Sequence, residues 1–175
     1  MTDDARYPIG KFAPKTSYSP QDVTESVKQI TLFPEKLEVV VKTLTDKQLN
    51  SKYRTDGWTL RQVIHHIADS HMNAYIRTKW ALTETEPLIK DYNERAWAET
   101  CDNKIDPTVS LQIIKYLHIR WVALLNGINP SEFGRKFLHP KRDGLFPLDR
   151  MIALYAWHGE HHLQHIINGS KMENG

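Results

Sequence analysis

Four stretches of this sequence repeat their apolar residues at three- and four-residue steps, a period that suits helices and not strands, whose faces alternate every second residue. The first runs through Val23, Val27, Ile30, Leu37, Val40, Val41 and Leu44, and the second through Leu60, Val63, Ile64, Ile67, Ala74, Tyr75 and Leu82. The third carries Leu111, Ile114, Leu117, Trp121, Leu124, Leu125 and Ile128, and the fourth Leu148, Met151, Ile152, Tyr155, Leu163 and Ile166. Start signals precede them: Ser19 as an N-cap before Pro20 and Asp22, the pair Thr59 and Gln62 at capping-box spacing, Asp106-Pro107, and Pro147. Stop signals follow, with Pro87 after the second stretch, Gly127 in the third, and an expected end near Asn168 in the fourth. Pro34 is expected to bend the first helix.

Between these stretches the signals are weaker. Residues 1 to 18, with Tyr7, Pro8, Gly10 and Pro14, show no period and are expected to form an irregular arm. A short helical piece is expected around Asn93 to Glu99. Phe137 to Phe146, holding Pro140 and the pair Asp143-Gly144, suits a short hairpin or tight loop. The segments Leu44 to Tyr53 and Ile128 to Phe137 echo one another, each following a long helix and preceding one that carries histidines, which suggests two related helix pairs. The expected fold is all-α: a four-helix bundle with a short hairpin or loop before the last helix.

With 175 residues, 40% of them hydrophobic, the chain suits one domain over 1–175. A net charge of +2 gives no reason to expect nucleic acid or an anionic membrane as partner, so a small molecule is the expected substrate. The single cysteine, Cys101, excludes an internal disulfide and a thiolate-only metal site. The acidic start Met-Thr-Asp-Asp and a longest apolar run of only Met151 to Trp157 point to a cytoplasmic location without a membrane span.

Histidine stands out, nine in all, with four between His158 and His165 interleaved with Gly159, Glu160, Leu163 and Gln164. At about 100° per residue, His162 falls about 40° and His158 about 80° from the centre of the last helix's apolar face, while His161 lies about 140° away and is expected to face water. Side chains four apart on a helix stand one above the other, so His158 and His162 can reach one ion, with Gly159 leaving room for close approach. On the second helix the period favours His71 as a core histidine, expected to bond backbone, and does not select His66, about 120° off centre but on a polar flank with Ser70, Asn73 and Arg77. His65, His161 and His165 are expected to be solvated or to sit behind ligands, His118 and His139 to be surface or packing residues, and Arg77 and Asp69 to be surface charges or pair partners, with contact to substrate as a further role open to them. Glu160, about 120° from the apolar centre, is not expected to be catalytic.

Asp56-Gly57-Trp58-Thr59-Leu60-Arg61-Gln62-Val63-Ile64-His65-His66-Ile67-Ala68-Asp69-Ser70-His71-Met72-Asn73, taken with Leu154-Tyr155-Ala156-Trp157-His158-Gly159-Glu160-His161-His162, closely resembles the YfiT group of metal-dependent hydrolases in the DinB-like superfamily. The likeness extends over nearly the whole chain, including Tyr7-Pro8-Ile9-Gly10. It implies a four-helix bundle, often dimeric, with one divalent ion per subunit, zinc first and nickel second, held by His66, His158 and His162. Three neutral imidazoles leave a divalent cation an open position, the arrangement of a catalytic site. A hydrolase acting on a small molecule is the first expectation. An S-transferase using a low-molecular-weight thiol such as bacillithiol is the second, and a non-catalytic metal- or ligand-binding module the third. No H-E-x-x-H occurs and no Glu is followed three residues later by His, so neither a zincin base nor a di-iron carboxylate pattern is present.

Overall fold

The computed structural model describes residues 5–142 and 144–171. Helix α1 spans Pro20–Val41, α2 Asp46–Asn50, α3 Leu60–Thr83, α4 Glu94–Trp97, α5 Thr108–Asn126 and α6 Leu148–Lys171, with 3₁₀ turns at Cys101–Lys104 and Pro130–Glu132. The start signals act as their chemistry requires. Ser19, Thr45 and Thr59 each accept from the third helical N–H, while Asp22, Gln48 and Gln62 reach back to the cap backbone, so two donors are satisfied at each of three helix starts. Helix α1 passes through Pro34 without interruption.

The four long helices form the bundle. Helix α1 packs against α5 and α6, and α3 packs against the same two, so α1 and α3 stand on one diagonal and α5 and α6 on the other. The two sequence-adjacent pairs suggested by the internal echo therefore do not pack side by side. Each helix finds its neighbours in the other pair, which is how α3 comes to lie along α6.

Between α5 and α6, β1 (Lys136–Leu138) and β2 (Leu145–Pro147) pair antiparallel, with Phe137 opposite Phe146. This is the expected hairpin. Asp143 lies outside the described residues, and Gly144 has φ +72, which a glycine adopts without strain. Leu138 also pairs with the segment after α3, donating to Pro87 O at 2.9 Å and accepting from Ile89 N at 3.0 Å. The hairpin thereby fixes residues 87–89, just before the loop that walls the cleft described below.

The apolar core is divided. One half gathers Val23, Val27 and Ile30 with Ala74, Trp121, Leu125, Met151 and Ile152. The other gathers Phe33, Leu37, Leu60, Ile64, Ile67, Leu111, Ile114, Leu163 and Ile166. On α3, α5 and α6 the change from one half to the other falls at buried polar side chains, among them Ser70, His71, His118 and His162, and on α1 it falls between Ile30 and Phe33, which contact His118. A layer of imidazoles crosses the bundle at mid-height. No helix of the described residues is long and apolar enough to cross a membrane.

Candidate metal centre

His66 on α3 and His158 on α6 bring their Nε2 atoms to 3.3 Å, and His162, one turn further along α6, completes a trio whose possible ligand atoms all lie within 4.8 Å of one another. Two imidazole nitrogens that each sit about 2.0 to 2.1 Å from a tetrahedral ion are about 3.3 to 3.4 Å apart, so the observed spacing fits a shared cation. The indole of Trp58 packs on the His66 ring with centroids 4.7 Å apart. Burial holds His66 down at about 4, well below an ordinary histidine. Burial also pushes His158 and His162 well down, each lowered further by neighbouring imidazoles. All three rings are therefore neutral at pH 7, with lone pairs free for a metal.

The other histidines meet the sequence reading only in part, with His71 in the core and His165 behind His162 as expected. His71 is buried as expected, but among the described residues its partners are two imidazoles and no backbone group: Nδ1 lies 2.8 Å from His118 Nε2 and Nε2 lies 3.3 Å from His158 Nδ1. His118 is neither surface nor simple packing, since it is 1% exposed and its Nδ1 sits 2.7 Å from Ile30 O. His65 is a buried tie. Its Nε2 donates to Ile105 O at 3.3 Å and its Nδ1 is 2.7 Å from Ser110 Oγ on α5. His139 is half-buried and faces Asp91 at 3.8 Å.

His161 is the clearest correction. Helical phase points it toward water, yet it is 7% exposed. The N-terminal arm covers that flank of α6: Phe12 packs on Trp157, Trp157 stacks on His161 with centroids 4.4 Å apart, and Tyr7 approaches His161 at 6.1 Å. The arm turns at Tyr7-Pro8-Ile9-Gly10, where Gly10 N donates to Tyr7 O at 2.9 Å and Gly10 has φ +78. This places Arg6 O 3.2 Å from His165 Nε2. His161, His162 and His165 form a second buried group with metal-ligand spacing, overlapping the first at His162.

A cleft of about 570 Å³ reaches the layer at His158, lined by Ser70, Arg77 and Tyr155 on the bundle side and by the Asp91–Arg95 loop and the hairpin opposite. Arg77, expected at the surface, is 7% exposed and makes no ion pair among the described residues. Its Nη1 lies 3.4 Å from the Tyr155 hydroxyl and its Nη2 3.3 Å from Lys90 O, while Nε has no partner among the described residues. Asp69, one turn beyond His66, is half-buried, and burial with the nearby Asp102 raises its carboxyl to about 6. Glu160 points away from the trio and pairs with Lys36.

A helical bundle crossed by imidazoles that converge beside a cleft has histidine groups that could hold a metal ion. The comparisons with known proteins agree on its family. The DinB superfamily model matches residues 29–166, and the chain belongs to that superfamily. It is 44% identical over 166 residues, 94% of this chain and 93% of the other, to YfiT of Bacillus subtilis, by its name a candidate metal-dependent hydrolase. A similarly named protein of Oceanobacillus iheyensis is 44% identical over 169 residues, covering 97% and 98% of the two chains. The solved structure of YfiT, described as an unusual four-helix bundle, superposes with a TM-score of 0.94 at 42% identity over 98% of both chains.

Proposed function

We propose that this protein is a metal-dependent enzyme of hydrolase type in which His66, His158 and His162 hold one divalent cation, zinc first and nickel second, beside a substrate cleft. The observation that carries the reading is the 3.3 Å approach of His66 Nε2 to His158 Nε2 within a trio of neutral imidazoles, two of them buried and His158 half-buried at the cleft. Three neutral nitrogen donors leave the cation its charge and an open position, from which it supplies Lewis acidity or activates a nucleophile at neutral pH. The metal-dependent character carried in the names of the relatives is consistent with this.

The chain's own residues do the rest. Arg77, buried without a carboxylate partner among the described residues, offers the Nε–H that none of them engages to an oxygen of a small molecule in the cleft, and its contact with the Tyr155 hydroxyl holds it in place. A carbonyl or carboxylate is the group such a donor orients. Tyr155 and Ser70, whose hydroxyls lie 3.4 Å apart, form the cleft floor next to His158.

Purified protein stripped of metal and titrated with zinc is expected to bind one equivalent and to turn over model esters or amides only when loaded. Turnover that requires a low-molecular-weight thiol and an electrophile would replace hydrolysis by thiol transfer at the same centre. Stoichiometric zinc binding with neither activity would leave a binding module.

A further inference from the structure

We propose that His118, His71 and His165 are positioning residues: two backbone carbonyls, acting through these rings, fix His158 and His162 in the tautomer that presents both Nε2 lone pairs to the space facing His66. The inference rests on the metal-site reading above for its purpose, but not for its geometry.

The first arm begins at a proline. Pro34 has no N–H, so Ile30, four residues earlier on α1, loses its usual helical donor and its carbonyl is left to find another. His118 Nδ1 fills that role at 2.7 Å. A carbonyl can only accept, so the proton of neutral His118 must sit on Nδ1 and its Nε2 must be bare. His71 Nδ1, 2.8 Å away, is then the donor to that nitrogen, which leaves His71 Nε2 bare in turn. His158 Nδ1, at 3.3 Å, donates to it. The only nitrogen of His158 left without a proton is Nε2, the atom 3.3 Å from His66 Nε2.

The second arm is shorter and starts from the N-terminal arm. Arg6 O accepts from His165 Nε2 at 3.2 Å, so His165 Nδ1 is bare. His162 Nδ1, 3.3 Å from it, donates, and His162 Nε2 is freed as a ligand. The same reasoning separates the two overlapping trios. A cation held by His161, His162 and His165 would need the Nδ1 lone pair of His165 that is already taken by His162, whereas the trio with His66 needs only the Nε2 atoms that both arms leave bare. Neither arm ends in a carboxylate, so the ligands stay neutral and the cation keeps its full charge.

Nitrogen NMR of histidine-labelled, metal-free protein tests this without any metal. The proposal expects His158, His162, His71 and His118 protonated on Nδ1, and His165 on Nε2. A proton on Nε2 of either His158 or His162 overturns it. Variants then test the role, with zinc alone as probe and a chromophoric chelator as competitor. His118→Phe and His165→Phe remove the acceptor facing the next ring and are expected to weaken zinc binding about 10- to 100-fold, the usual cost of losing an outer partner. His118→Gln places an acceptor oxygen where Nε2 was, and His165→Asn one where Nδ1 was, so both are expected to recover affinity to within about threefold of the parent. Phenylalanine variants that fold and bind zinc as tightly as the parent overturn the positioning role. Should a phenylalanine variant not fold, the conservative pair decides, because a tenfold loss in either of them also overturns it. Wild-type protein that shows these tautomers but binds no zinc refutes the metal-site reading while leaving the hydrogen-bond chain standing.

Discussion

Helix α6 carries two histidine pairs at the same spacing, His158 with His162 and His161 with His165, and three of the four rings are buried while His158, at the cleft, is half-buried. Only the first pair faces another helix's imidazole: His158 and His162 look across to His66 on α3. His161 and His165 look instead toward the N-terminal arm, whose Tyr7 and Arg6 O enclose them together with Trp157 of α6 and Tyr53 from the segment after α2. Identical spacing therefore defines a possible ligand pair but not a site. The site is decided by what the facing surface offers, a third imidazole in one case and a carbonyl and aromatic rings in the other.

The largest expected effect breaks this comparison directly. His66→Ala, His158→Ala or His162→Ala should each lower zinc affinity by more than about 100-fold, beyond the cost of losing an outer partner. His161→Ala should change it less than about threefold. Isothermal titration of the metal-free proteins with zinc checks both, and the reverse ranking would move the centre to the second trio.

Acid should act on both pairs at once. The folded values of His66, His118, His161 and His165 are pushed down to about 4 by burial, from an ordinary 6.5. The folded state thus binds fewer protons than the unfolded chain: stability is complete above about 6.5 and is lost as pH falls toward the folded values near 4. For His66 alone, a drop from 6.5 to about 4 corresponds to about 3 kcal/mol. Denaturant unfolding of metal-free protein should show a steep loss between about pH 6.5 and 4, and a flat profile there would contradict neutral, buried rings.

Smaller effects probe what separates the two pairs along the helix. A Cβ on Gly159 would lie 2.9 Å from Phe33 Cδ2, and the Phe33 ring packs on both His71 and His118. Gly159→Ala should therefore cost about 1 to 3 kcal/mol in thermal or denaturant unfolding, as overpacking does, and disturb the first pair more than the second. Least affected should be Glu160→Gln. Its partner Lys36 is solvent-exposed, and loss of such a pair is expected to cost less than about 1 kcal/mol and to leave zinc binding unchanged.

Much of the fold was legible because local chemistry determines it. The N-cap at Ser19, the capping box at Thr59, the helical period and the hairpin around Phe137 and Phe146 appear where the sequence places them, and Thr45 with Gln48 caps the short α2. Helix ends are set by orphan backbone donors within a few residues, so nearby side chains suffice to predict them. Phase also placed His158 and His162 on the inner side of α6. It failed for His161, because a helical wheel assumes one buried face and the N-terminal arm buries a second. It failed to select His66 over His71 because both rings are inside, one at the trio and one behind it.

Some features had a sequence signal whose meaning depended on distant partners. Pro34 was readable as a position without an N–H, which leaves the Ile30 carbonyl short of its helical donor, but only the packing of α5 on α1 supplies His118 as the replacement. The turn Tyr7-Pro8-Ile9-Gly10 was readable as a motif, but its closeness to His161 and His165 needed the arm's path over α6. Arg77 carried no signal of burial, since its surroundings come from the loop after α3 and the hairpin.

What the sequence alone determined is the set of helices, their caps and the presence of an unusual concentration of imidazoles, because each of these depends on interactions within one or two helical turns. The tertiary structure decided which imidazoles meet, which nitrogen of each carries its proton and where the cleft opens. Those outcomes depend on placing α1 and α3 on one diagonal and α5 and α6 on the other, a choice made by side-chain packing between residues dozens of positions apart.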